Sequence, residues 1–124
     1  MENKNDNHPL DLSYLIQMVG HNPEFMIEVF DTFLAQTPFY MAELEDAMLH
    51  KSWEKVGNCA HKIKPTFSYV GRADIKDFVQ KIEHNARNLA DIDQLPADIE
   101  RLKITVVAIY RQIEAAKKEL IAKD

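Results

Sequence analysis

Glycine and cysteine are scarce in this 124-residue chain, with three of the first and one of the second. So little glycine removes the loops that cradle phosphates. There is no GxGxxG and no GxxxxGK[ST], and the GxSxG elbow and the HExxH zinc helix are missing as well. Cys59 alone cannot form an internal disulfide, which fits a reducing compartment. No stretch approaches the roughly 18 apolar residues of a membrane span, and no signal peptide opens the chain. The expectation is a cytoplasmic protein without membrane contact. Basic residues are also short, 15 against 20 acidic, for a net charge of −5. A nucleic-acid binder needs a basic footprint to displace counterions, so nucleic acid is not expected as a partner.

What the chain has is helix-forming residues and helical periodicity. Its length suits one domain able to fold alone. Residues 1–9 are polar and read as a frayed tail, and residues 10–124 as the domain. Leu10 to Val19 reads as a short helix, with Asp11 as N-cap and Gly20 as stop. Asn22 followed by Pro23 and Glu24 opens the second helix. Its apolar residues are Met26, Val29, Phe30, Phe33 and Leu34. Pro38 is expected to kink or break it, and the pattern resumes at Met41, Leu44, Ala47 and Met48.

Ser52 is the next N-cap candidate. Trp53, Val56, Ala60, Ile63, Phe67 and Val70 then form one narrow stripe, ended by Gly71. Ile75, Phe78, Val79, Ile82, Ala86 and Leu89 form another. Pro96 opens the last helix, whose buried side is Ile99, Leu102, Val106, Ile109, Ile113 and Leu120. Four long amphipathic helices with short connections predict an all-α antiparallel four-helix bundle with a short extra N-terminal helix. The stripes are core.

One residue of the third helix is set apart. At about 100° per residue, His61 points roughly 130° from the mean direction of the stripe, toward solvent. Gly57, Lys64, Pro65 and Ser68 share its side. An exposed imidazole is largely uncharged and nucleophilic at neutral pH. Gly57 has no side chain to crowd an approach, and Lys64 places a cation within neighbour reach. Such a cation suits a phosphoryl group, which carries about −1.5 to −2 charge on other phospho-residues. A solvated helix face with no chemistry is the plainer reading of the same spacing. The other histidines, His8, His21, His50 and His84, have no ligand spacing with Cys59, so no metal site is expected.

The run Ala60-His61-Lys62-Ile63-Lys64, with Phe67, Val70 and Gly71 following, resembles the signature of histidine-containing phosphotransfer (HPt) domains. These carry phosphoryl groups between receiver domains in multistep two-component relays. The likeness extends over nearly the whole chain, including Pro38, the Trp53 region and Ile82-Glu83. It implies that His61 is the phosphoacceptor and Lys64 its neighbouring cation. Glu83 matches the side chain that the next helix places against the imidazole, and Arg87 a position that is sometimes basic. Glu83 either holds a ring nitrogen or is an exposed charge paired with Arg87 at i+4. The family usually has glycine where this chain has Pro65. That proline removes a donor to the His61 carbonyl and is expected to bend the helix.

The resemblance further implies a cytoplasmic, monomeric phosphocarrier without kinase or phosphatase activity of its own. Its partners would be receiver domains of response regulators or hybrid kinases, with Mg²⁺ supplied by the receiver and no cofactor in this chain. Leu12, Leu15, Ile16 and Phe25, beside Gly57, Pro65 and Ser68, are the candidates for the partner surface. A non-catalytic adaptor of the same fold is the alternative, favoured by Pro65. A dimerisation module of a histidine kinase fits poorly, because Lys62 stands where that motif has an acid.

Overall fold

A computed structural model describes residues 9–123; residues 1–8, most of the expected tail, lie outside it. The elements are α1 (Ser13–Val19), α2 (Pro23–Leu49), α3 (Trp53–Tyr69), α4 (Ala73–Asn88), a 3₁₀ turn (Ile92–Gln94) and α5 (Leu95–Lys123). The described residues contain no strand.

Pairing across the helices fixes their direction. Phe33 meets Phe67 and Glu43 meets Lys62, so α2 and α3 run oppositely. His61 meets Glu83 while the earlier Gly57 meets the later Arg87, so α3 and α4 do too. Asp31 pairs with Lys117 and Glu45 with Lys103, which closes α5 back against α2. Lys81 and Asp98 link α4 to α5. The result is the expected helical bundle, with α1 laid over one end against α2 and α3.

The core is drawn from the predicted stripes. Val56, Ala60, Ile63, Phe67 and Val70 of the third stripe are buried, as are Ile75, Val79, Ile82 and Ala86 of α4 and Ile99, Leu102, Val106, Ile109 and Ile113 of α5. Phe33 anchors the centre, edge-on to both Phe67 and Tyr110.

The helix limits are partly as read. Asn22 caps α2 as read, accepting from Phe25 N–H at 3.2 Å. Asp11, however, is not the N-cap of α1. Leu12 is, and the Asp11 carboxylate accepts from Ser13 N–H at 3.1 Å. Ser52 occupies the N-cap of α3 without making a side-chain cap bond. Pro38 does not break α2, and α3 likewise runs on through Pro65, where a bend was expected. Both rings are exposed. A long helix curves convex toward water around its core, and a proline on the outer face bends it in that same sense.

A cluster invisible to periodicity fastens the α3–α4 corner. Arg72 is only 1% exposed. Its Nε and Nη2 donate to the two oxygens of Asp74, each at 3.0 Å, and Nη1 donates to Gln112 of α5 at 3.0 Å. A buried guanidinium persists because such a fork satisfies its donors.

Candidate functional site

The site lies on the face shared by α3 and α4. Its hub is Glu83 of α4, whose side chain is only 13% exposed and carries three donors. His61 Nδ1–H donates to Oε2 at 3.0 Å. Lys64 Nζ donates to Oε1 at 2.8 Å. Arg87 Nε donates to Oε2 at 3.1 Å. The two readings of Glu83 therefore hold together: it pairs with Arg87 one turn along α4, and it holds the imidazole across the helix pair.

Burial pushes the Glu83 carboxyl up, but the hydrogen bonds from Lys64 and Arg87 outweigh it. They leave the group below the usual carboxylate value, with His61 contributing in the same direction. An ionised carboxylate only accepts, so the proton it faces sits on Nδ1 and Nε2 keeps its lone pair. The His61 side chain is 64% exposed. An open nucleophilic nitrogen thus stands beside two cations that share one anion.

A carboxyl depressed in the fold stabilises the fold above its ordinary pKa of about 4.3. That stability is lost as pH falls through the lowered folded value. Between about pH 5 and pH 3, the urea midpoint of the wild-type protein is expected to fall further than that of Glu83→Gln. Equal losses in the two proteins would separate Glu83 from acid stability.

The flank of α3 opposite α4 is fenced differently. Lys62 Nζ donates to Glu43 at 3.2 Å and lies 5.3 Å from the centroid of the Tyr40 ring. Cys59 is half-buried on this side, and burial together with the Glu43 charge pushes its thiol up, away from the reactive thiolate. His50 caps the end of α2 on the Asp46 carbonyl, and His84 contacts Asn88. Among the described residues no three His, Cys, Asp or Glu side chains gather to hold a metal. Among the described residues no helix is long and apolar enough to cross a membrane.

The partner-surface candidates divide. Phe25 and Pro65 are exposed, and Leu12, Ile16 and Ser68 are half-buried. Leu15 is a correction: it is fully buried in the core, because α1 turns it onto the bundle. Gly57 is a second correction. It is buried, and the stem of Arg87 lies across it, so no approach to His61 runs over it.

Contacts also place α1 near the far end of α3. Asp11 N–H donates to the Gly71 carbonyl at 2.9 Å, and Tyr14 stacks on Tyr69 at 5.9 Å. Tyr69 is eight residues past His61, about 12 Å along the axis. Between α1, α2 and α3 opens an apolar groove of about 220 Å³, lined by Met18, Val29, Phe33, Thr66 and Tyr69 among others. Exposed Tyr14, Met18 and Phe25 stand on these elements. The sequence reading did not single out Tyr14 and Met18; their i, i+4 spacing on a seven-residue helix was the available signal.

Compared with known families, the chain matches the Hpt domain model over residues 28–116, more than two thirds of its length. The match spans His61, Lys64, Glu83 and Arg87. No curated protein and no solved structure matches the chain significantly.

Proposed function

From the premise that this chain belongs to the Hpt domain family, whose members serve phosphotransfer to and from receiver domains, we propose that His61 accepts and returns the phosphoryl group. Support comes from one geometry above the rest: an exposed ring whose Nδ1–H is held by Glu83 at 3.0 Å. Nε2 attacks the phosphorus of an aspartyl phosphate on a receiver. An N–P bond forms, the P–O bond to aspartate breaks, and the aspartate leaves as a carboxylate. The Nδ1 proton stays in its bond to Glu83 throughout. A second receiver reverses these steps.

Lys64 and Arg87 oppose the charge of the incoming group. The receiver supplies Mg²⁺ and most of the charge stabilisation, so this chain contributes position. It acts as a cytoplasmic phosphocarrier with no kinase or phosphatase activity of its own. Exposed Phe25 and half-buried Ile16, on two of the helices that frame the groove, with Pro65 nearer the ring, form the receiver-facing surface. Such an apolar patch with a polar rim is what a transient partner reads.

The test is incubation with a phosphorylated receiver, followed by peptide mapping of the label. Acid-labile, alkali-stable label confined to the peptide carrying His61 is expected. Label on a peptide carrying His50 or His84 instead would overturn the assignment. Receiver binding without any label would select the adaptor reading, in which this fold docks partners and transfers nothing.

A further inference from the structure

Gly57 occupies the middle of a helix turn where glycine is a poor choice. Its backbone has no left-handed φ, unlike Gly20 at +72° and Gly71 at +81°. Alanine would therefore fit the conformation and strengthen the helix. What alanine would cost is space. A methyl group there would lie 2.9 Å from Cγ of Arg87, 3.6 Å from its Nε and 3.8 Å from its Cζ. Ordinary carbon contacts are about 3.5–4.0 Å.

The atom that would be struck matters. Cγ lies at the root of the arm and is placed by χ1, so the shift that clears the methyl is carried outward along the stem to the guanidinium. The Nε that bonds Glu83 Oε2 at 3.1 Å would leave with it. Glu83 would then keep Lys64 at 2.8 Å and His61 at 3.0 Å but lose one of its two cations.

We propose that Gly57 is a positioning residue for phosphotransfer: its bare Cα is the notch that seats the Arg87 stem and thereby holds the guanidinium on Glu83, beside the reactive ring. This rests on the reading of His61 as phosphoacceptor. It assigns Gly57 no contact with phosphorus or with the receiver.

The experiment is a cycle of wild type, Gly57→Ala, Arg87→Ala and the double variant. Each is measured for transfer rate from a phosphorylated receiver and, with no partner present, for the NMR titration midpoint of the Glu83 carboxyl. Gly57→Ala is expected to slow transfer about tenfold, within the range that misplaced groups produce. It should also raise the Glu83 midpoint toward the ordinary carboxylate value, while the thermal midpoint holds or rises. In the Arg87→Ala background, adding Gly57→Ala should change neither the rate nor the Glu83 midpoint, because nothing remains to be displaced.

Equal slowing by Gly57→Ala in both backgrounds would overturn the proposal, since Gly57 would then act through receiver approach. An unmoved Glu83 midpoint in Gly57→Ala would overturn it as well. Were the wild-type protein to take no label, the phosphoacceptor reading would fail, and the Glu83 titration would still report whether Gly57 seats Arg87.

Discussion

His61→Gln is expected to bring phosphoryl uptake down to the level of a control lacking the protein, while the fold and the receiver affinity stay nearly unchanged. Glutamine has no ring nitrogen with a free lone pair, so no N–P bond can form. Its amide can still donate to Glu83, which keeps the carboxylate from losing a partner. The ring it replaces is mostly in water, and changes at such positions move stability by about 0.5 kcal/mol or less. Away from the hot spots of an interface, one truncated contact costs less than about 1 kcal/mol, which is a factor of about five in affinity. Three measurements decide it: label transfer, the thermal midpoint, and receiver affinity by calorimetry. Substantial label on the Gln variant would remove His61 from the chemistry.

Phe67→Ala should do the reverse. Phe67 is six residues further along the same helix, fully buried, and edge-on to Phe33 at 5.8 Å. Phe33 in turn meets Tyr110 at 5.9 Å, so three helices share this aromatic centre. Removing a buried ring costs about 3–5 kcal/mol through lost burial and a residual cavity. A domain of this size has about 5–15 kcal/mol in all. The thermal midpoint should drop by roughly 10–20 °C. Transfer per folded molecule should persist at low temperature, because the Glu83 hub makes no contact with the ring. A shift below a few degrees would mean that the centre repacks around the gap.

These two residues show what could be read from sequence. The stripe through Val56, Ala60, Ile63 and Phe67 reports burial directly, because helical periodicity is set by the chain alone. The direction of His61 follows from the same arithmetic. The side Leu15 takes is not legible, because a seven-residue helix carrying Leu15, Ile16 and Val19 just after Leu12 has too few turns to show which face turns inward. That choice is made by α3 and by the backbone bond at Gly71.

Whether Pro38 would break its helix or only bend it is open in sequence for a similar reason. The cost depends on which way the helix must curve, and the core settles that. The Glu83 hub was half legible. Its pairing with Arg87 is local, whereas its bonds to His61 and Lys64 join residues about twenty positions apart. The role of space at Gly57 is set by a side chain thirty residues away. Arg72 gave no periodic signal at all, since its partner Gln112 is forty residues distant.

The shared carboxylate also shapes how two molecules meet. Lys64 and Arg87 together exceed the single charge of Glu83, leaving a positive island on a body whose net charge is −5. An approaching anion is drawn toward that local excess before any surface touches. The guidance reaches about 8–10 Å at physiological salt. Encounter frequency with an anionic partner surface is therefore tuned by ionic strength.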